Sequence, residues 1–240
     1  MKTSRIGPFS CLTFDCVDST STLLREGDFP HYTVVRALSQ TAGRGRRGNP
    51  FISPAGGLYF SVKLPRPMVD SEMWAVTFMA ANALCDAIGG RAAIKWVNDI
   101  YIDGGKVAGI LTEVRADALI VGVGVNVKSV AMPDEIAQSA TSLERAGIDI
   151  TAEELLYCFF EHFDNAFVGW NIPLTLEKYR KRSLLTGKEI RYTENGVKKY
   201  ATALGIGDNG NLICQRDGKT FALSSGEVFA VRSTGAPSAQ

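Results

Sequence analysis

Residues 92–127 constrain the fold more than any other part of the chain, because short apolar stretches follow one another with very tight turns between them. The stretches are AAIKW, YI, KVAGILTEV and ALIVGVGVNV, and one of the turns is DGG. Parallel neighbours need a crossover of a dozen or more residues, whereas antiparallel neighbours need only a short turn. The pattern therefore favours a mostly antiparallel sheet over repeated βαβ units.

The segments around this region supply further strands and three longer helices. Strands are expected at CLTFDCV, YTVVRAL and GLYFSVKL, and a short helix follows the first of them, capped by Asp18 or Ser19. The segment DSEMWAVTFMAANALCDAIGG predicts a helix that begins at Asp70 or Ser71. Thr151 begins a second one with a capping box, and PLTLEKYRKRSLL predicts a third.

The sequence pattern changes at about Thr186. About five short strands follow, separated by turns such as NG, DNGN and DGK. This pattern predicts a small β-barrel. We therefore expect a large α+β domain at residues 1–185, a small β domain at 186–233 and a disordered tail at 234–240.

Composition limits the class of protein. The 240 residues carry a net charge of only +1, which gives no electrostatic reason for bulk binding to nucleic acid or membrane. Two histidines and five scattered cysteines give poor support for a zinc site, a His-based triad or a disulfide framework. Because the chain also opens without a long apolar leader, we expect a cytoplasmic protein.

Positive charge is nevertheless concentrated in one loop, TAGRGRRGNP, and residues 29–69 contain no Asp or Glu. Glycines let backbone N–H groups approach an anion, and Arg44, Arg46 and Arg47 add planar donors suited to phosphate or carboxylate. The loop matches neither the P-loop nor the Rossmann pattern. An exposed basic turn or an RNA contact remains an alternative on this feature alone.

Two further stretches have the polarity of a binding site. In IKWVNDIYIDGGK, strand alternation points Lys95 away from Ile94 and Trp96, toward the open face of the sheet. In IVGVGVNV, Gly122 and Gly124 lie on one face and leave room for a flat ligand. A solvated lysine and a simple strand crossing are the structural alternatives.

These motifs together resemble the biotin–protein ligase family. GRGRRG, KWVND, KVAGILTE and GVGVNV occur in that family's order and spacing, and DSTST, ATSLERAGIDI and SSGEVFAVR fit its flanking segments. The resemblance covers nearly the whole chain. It implies an α+β catalytic, biotin/ATP-binding domain like that of class II aminoacyl-tRNA synthetases, with a mixed, mostly antiparallel sheet, followed by an SH3-like β-barrel.

The activity implied by the resemblance is ATP-dependent formation of biotinyl-5′-AMP and transfer of biotin to a lysine of a biotin carboxyl carrier protein. Mg²⁺ would accompany ATP, with its ligands left open. No helix-turn-helix precedes Ser10, so the form without a DNA-binding domain is expected, with no nucleic-acid or membrane partner. A homodimer is left open, with a sheet edge near ALIVGVGV as one surface for self-association.

The resemblance also implies residue roles. The catalytic residues would be Lys95 and Arg46. Biotin would be bound by Ser19, Thr20, Ser21, Gln40, Arg44, Gly45, Arg46, Lys95 and Gly109. The nucleotide would be bound by Arg46, Arg47, Phe51, Asn98, Asp99 and Asn126. A lipoate–protein ligase and a non-catalytic RNA-binding protein are the rival hypotheses.

Overall fold

A computed structural model describes residues 1–66, 70–115, 117–130, 139–194, 196–226 and 228–231. The chain separates into two compact units, Met1–Arg182 and Ser183–Gln240. Each unit has its own β-sheet. The tail expected at residues 234–240 lies outside the described residues.

The first unit is built on an eight-stranded sheet. Its strands are β1 (Lys2–Ile6), β2 (Phe9–Val17), β3 (Thr33–Gln40), β4 (Leu58–Pro65), β5 (Ala93–Lys95), β6 (Asp99–Ile102), β7 (Gly105–Val114) and β8 (Ala118–Val125). Their order across the sheet is β1-β2-β3-β4-β8-β7-β6-β5. Only β2 and β3 pair in parallel, and a helical crossover joins them. The expected mixed, mostly antiparallel sheet is confirmed.

The location of β8 corrects one expectation. The sequence analysis placed a sheet edge near ALIVGVGV, but β8 lies between β4 and β7 and is paired on both sides. All eight of its residues are buried. An uninterrupted apolar run is typical of a strand covered on both faces, so this segment cannot offer an edge for self-association.

The described residues of the first unit form four α-helices, which pack on the sheet. They are α1 (Thr20–Glu26), α2 (Trp74–Ile88), α3 (Ala152–Gly169) and α4 (Ile172–Lys181). Ser19 caps α1, and Thr151 and Glu154 form the capping box expected at the start of α3. Helix α2 starts later than predicted, because Asp70–Glu72 forms a 3₁₀ turn instead of its first turn. Among the described residues, no helix has the length and hydropathy needed to cross a bilayer.

The helices cover the two faces of this sheet differently. On one face, Leu24 of α1 packs with Val35 and Ile120. On the other face, the ring of Phe60 packs against Phe159 and Phe160 of α3, with ring centroids 5.1 and 5.4 Å away. Because α1 is only seven residues long, the helices of the described residues leave part of the α1 face of the sheet uncovered. That part holds the candidate site.

The second unit is a five-stranded antiparallel sheet. Its strands are β9 (Glu189–Glu194), β10 (Val197–Ile206), β11 (Leu212–Arg216), β12 (Lys219–Leu223) and β13 (Val228–Ala230). They lie in the order β12-β11-β10-β9-β13, and every neighbouring pair is antiparallel. The five strands expected after Thr186 are therefore present.

Truncating Phe160 tests the packing of α3 on the sheet. Its ring is 2% exposed and lies 4.6 Å from Phe9 between centroids. Phe160→Ala should lower the free energy of unfolding by about 3–5 kcal/mol through lost burial and the remaining cavity. Urea unfolding followed by far-UV circular dichroism measures this. Tyr157→Ala on the same helix is the control, because Tyr157 is 44% exposed and should cost far less.

Candidate functional site

One row of cross-strand partners crosses the sheet beside the end of α1. Lys95 pairs with Asp99, Asp99 with Gly109, Gly109 with Gly124, and Gly124 with Tyr59. Directly paired residues point to the same face of a sheet. The two adjacent glycines therefore leave a shallow gap between the charged pair and Tyr59.

Lys95 lies at the end of β5 and faces this gap. Its chain neighbours Ile94 and Trp96 are 0% and 4% exposed, so they point into the core on the opposite face. The Lys95 amine is 5.7 Å from the centre of the Tyr101 ring. The alternation predicted for this strand is confirmed, and Lys95 carries its charge on the same face as the glycines.

A second lysine, Lys106, joins the site. In the sequence its place after KWVND favours a polar site there, without a specific role for Lys106. Its Nζ lies 2.6 Å from Oδ1 of Asp99. Strict alternation would put Lys106 and Gly109 on opposite faces, but the pairing of β6 with β7 shifts register between Ile100 and Tyr101. This bulge brings Lys106 and Gly109 to one face.

Phe51 covers the gap that the glycines leave. An ideal Cβ built on Gly124 would overlap the Phe51 ring, and one built on Gly109 would lie 3.4 Å from it. Both glycines thus allow an aromatic ring to lie flat against the backbone. Tyr59 borders the ring edge-on, with centroids 6.3 Å apart. The surface suits a flat, largely apolar group.

Hydroxyl and amide groups form the other wall of the site. Oε1 of Gln40 accepts hydrogen bonds from the backbone N–H of Thr20, at 2.9 Å, and from its hydroxyl, at 3.2 Å. The Ser61 hydroxyl lies 2.8 Å from that of Thr20 and 2.9 Å from that of Ser21. Nε2 of Gln40 donates to Ser53 Oγ at 2.8 Å. These groups hold one another in place in a largely buried cluster, so their orientations are fixed before any ligand binds.

The sequence analysis found part of this hydroxyl cluster. Thr20, Ser21 and Gln40 are brought together as expected, whereas Ser19 accepts a hydrogen bond from Thr22 N as the cap of α1. Ser61 was missed, because its place opposite Gly122 depends on the pairing of β4 with β8. An ideal Cβ on Gly122 would lie 2.6 Å from Ser21 Oγ, so this glycine makes room for the cluster.

The Arg/Gly loop reaches the site through one of its three arginines. Nη1 of Arg46 donates to Oδ1 of Asn98 at 3.4 Å, and Asn98 Nδ2 donates to the carbonyl of Ile110 at 2.6 Å. Arg44 and Arg47 are exposed. The Gly45 N–H donates to the carbonyl of Asn49 at 2.8 Å, which closes the loop on itself.

Asn126 lies just beyond β8 and lines a cavity of about 90 Å³. Its Nδ2 donates to the carbonyl of Thr141 at 3.0 Å. Lys128 and Arg145 also line this cavity, and the Lys128 amine lies 3.2 Å from the Glu144 carboxylate. The cavity is therefore suited to a polar group.

Two tyrosines of the site remain neutral at physiological pH. Burial raises the pKa of Tyr59 to about 12, and its hydroxyl donates to the carbonyl of Pro54 at 2.8 Å. Burial and, secondarily, the charge of Asp99 raise the pKa of Tyr101 to about 12. Neither phenol can serve as a proton acceptor near neutral pH. The charges of the site are those of its Lys, Arg and Asp side chains.

Comparison with known proteins decides the family. The sequence profile of the Biotin/lipoate A/B protein ligase family matches residues 13–128. The bifunctional ligase/repressor BirA of Bacillus spizizenii is 33% identical over 224 residues, which cover 84% of this chain and 68% of BirA. The biotin–[acetyl-CoA-carboxylase] ligase of Paracoccus denitrificans is 32% identical over 218 residues, covering 81% of this chain and 89% of the relative. The chain belongs to the biotin protein ligase family.

A solved biotin protein ligase has the same fold. The Aquifex aeolicus biotin protein ligase in complex with biotin and ATP superposes with a TM-score of 0.84 and 27% sequence identity. The match covers 92% of this chain and 99% of the Aquifex chain. The biotin ligase fold thus extends over both units of the chain.

Replacing Ser61 tests the hydroxyl cluster. Ser61→Ala should lower the free energy of unfolding by about 1–3 kcal/mol, because the buried hydroxyl of Ser21 then loses its partner. The measurement is again urea unfolding. Ser39→Ala on β3 is the control, since Ser39 Oγ donates only to the exposed Asp15 carbonyl at 3.3 Å. Equal losses for the two variants would contradict a cooperative buried cluster.

Proposed function

We propose that this chain is a biotin–protein ligase, which activates biotin with ATP as biotinyl-5′-AMP and then transfers biotin to a specific lysine of a biotin carboxyl carrier protein. The observation that carries the proposal is the row from Lys95 through Gly109 and Gly124 to Tyr59, bounded by the hydroxyl cluster. It combines a flat surface, fixed polar groups and cations. The names of the Paracoccus relative and the Aquifex complex support it.

In this proposal biotin lies on Gly109 and Gly124 of the row of cross-strand partners, which we call the glycine row. Its fused rings would take the surface that Phe51 covers in this structure, against Gly109 and Gly124. Its ureido group, which both donates and accepts hydrogen bonds, would meet the side chains of Thr20, Ser21 and Gln40, with Ser19 at their edge. These side chains offer both donors and acceptors. The biotin carboxylate would then point toward the cations.

The first step joins two anions. A biotin carboxylate oxygen attacks the α-phosphorus of ATP, the bond to the β-phosphate oxygen breaks, and pyrophosphate leaves. Two unit charges about 4 Å apart repel by about 4 kcal/mol at an effective dielectric near 20. Unopposed, that corresponds to a rate loss of roughly a thousandfold. In this proposal Lys95, Lys106 and Arg46 offset this repulsion and orient the reacting atoms.

The nucleotide is assigned to the side of the site that holds Asn98, Asp99 and Asn126. The Phe51 ring would move away from Gly109 and Gly124 and stack on the adenine. Arg47 would approach the phosphates. Magnesium enters with ATP as part of the substrate. The described residues contain no cluster of three or more His, Cys, Asp or Glu side chains that could hold a metal ion. Asp99, which is paired with Lys106, would be one protein contact of the magnesium ion, and phosphate oxygens and water would supply the rest.

The second step transfers biotin. The neutral lysine ε-amine of the carrier attacks the carbonyl carbon of the mixed anhydride, the bond to the phosphate oxygen breaks, AMP leaves, and the new amide nitrogen releases one proton to AMP or water. Before that attack the anhydride must be kept from water. The Arg/Gly loop, with Arg44, Gly45 and Arg46, is suited to close over it, because its glycines permit large backbone changes.

The remaining assignments complete the proposal. We assign residues 1–185 as the catalytic domain and 186–233 as an SH3-like barrel, supported by the five antiparallel strands. A cytoplasmic location is supported by the five cysteines, which are all free thiols. A homodimer stays part of the proposal, but β8 is not the sheet edge through which it forms.

The proposed function is tested by biotin-dependent pyrophosphate release from ATP, in the absence of a carrier protein. We expect release with biotin and none with lipoate. Isothermal titration with each vitamin and a non-hydrolysable ATP analogue gives the matching binding result. Lipoate binding without biotin binding would assign the lipoate branch of the family instead. ATP-independent, salt-sensitive RNA binding would favour the RNA-binding hypothesis.

Lys95→Ala should abolish pyrophosphate release while leaving the unfolding midpoint unchanged, because Lys95 faces the site and not the core. Lys181→Ala is the matched control, since the Lys181 side chain is 71% exposed on α4. It should retain wild-type turnover. An early-melting Lys95→Ala variant with normal turnover would contradict the placement of Lys95.

A further inference from the structure

We infer that Tyr179 and Arg182, at the C-terminal end of α4, are positioning residues that hold the strand bearing Lys95 in its catalytic place. The inference rests on the proposed function, which makes Lys95 a catalytic residue. The effect of Tyr179 and Arg182 is exerted through the backbone of residues 94–97.

The strand β5 needs support from outside the sheet. It is the last strand in the sheet order and only three residues long, with Lys95 at its end. Its pairing within the sheet is with β6 alone. A short strand at a sheet edge is weakly held by its own ladder, and small movements of a catalytic group cost rate.

The C-terminal end of helix α4 supplies that support through two hydrogen bonds, one on each side of Lys95. The N–H of Ile94 donates to the carbonyl of Arg182 at 2.7 Å. The hydroxyl of Tyr179 donates to the carbonyl of Val97 at 3.0 Å. The backbone is thus fixed one residue before and two residues after Lys95.

The two positioning residues are themselves rigidly held. The Tyr179 ring is 0% exposed and stacks on Phe78 of α2, with centroids 3.7 Å apart and an interplanar angle of 9°. Burial keeps the pKa of Tyr179 well above its ordinary value, so its hydroxyl remains a donor. The Arg182 guanidinium donates to the carbonyl of Asn82 at 3.1 Å and forms an ion pair with Asp86.

Asn82 of α2 connects the N-terminal half of α4 to the same set of hydrogen bonds. Its Nδ2 donates to the carbonyl of Thr175 at 2.9 Å, and Asn82 is 4% exposed. A continuous set of hydrogen bonds therefore runs from α2 through α4 to the strand of Lys95. This arrangement does more than fill the core, because it ends on the backbone of the proposed catalytic lysine.

The test is Tyr179→Phe, which removes one hydroxyl and keeps the ring stack. We expect kcat for biotin-dependent pyrophosphate release to fall about fivefold to tenfold, the loss of about one hydrogen bond. The KM values for biotin and ATP should stay within about twofold, because the change acts on the position of Lys95 and not on the binding surface. Hydrogen–deuterium exchange should show faster uptake in the peptide spanning residues 93–99.

Tyr192→Phe is the matched control. Tyr192 is 2% exposed on β9 of the second unit, and its hydroxyl accepts a hydrogen bond from Nη1 of Arg216 at 2.8 Å. It should change neither kcat nor uptake at residues 93–99. All kinetics are measured at a temperature where urea unfolding shows both variants fully folded.

Unchanged uptake at residues 93–99 in Tyr179→Phe, or an equal increase in Tyr192→Phe, would overturn the inference. Faster uptake with wild-type kcat would overturn it as well, because the strand could then loosen without affecting Lys95. Failure of the proposed function is a separate result. In that case the wild-type chain itself releases no pyrophosphate with biotin, whereas failure of the inference leaves wild-type turnover intact.

Discussion

The hydrogen-bonded register of β5 to β8 places Lys95, Asp99, Gly109 and Gly124 in one row, and the rest of the site depends on that register. Side chains alternate between the two faces of a strand, so a shift of one residue would move both glycines to the helix-covered face. Close contacts at the glycines of β8 fix the register, since a Cβ on Gly122 would lie 2.6 Å from Ser21 Oγ and one on Gly124 would overlap the Phe51 ring. The packing of the core therefore also determines the floor of the binding surface.

Polar groups in the site are held mainly by one another. Gln40, Thr20 and Ser61 are linked by hydrogen bonds, and Asn98 connects Arg46 to the backbone of β7. Such an arrangement stabilises the fold and fixes the directions of the donors and acceptors. A ligand that binds there must replace hydrogen bonds of similar quality, which favours a ureido-like group over an apolar one. Stability and specificity thus rest on the same side chains.

Much of this was predictable from local sequence. The strands, the capping box of α3 and the outward direction of Lys95 follow from short-range patterns, and the structure contains each of them. The start of α2 was wrong by a few residues, because a 3₁₀ turn takes its place. Lys106 was recognised only as a second lysine after KWVND, and its position beside Gly109 was not predicted, because a register shift between β6 and β7 breaks the strand alternation. Ser61 was missed because the strand pairing alone sets it opposite Gly122.

By itself the sequence determined the types of element, their order, and the set of motifs that identify the family. It did so because caps, turns and alternation act over a few residues and need no partner from elsewhere in the chain. Only the tertiary structure decided that β8 is central, that Phe51 lies on Gly109 and Gly124, and that α4 holds the strand of Lys95. Those features join residues distant in the chain, and their positions depend on strand register and helix packing.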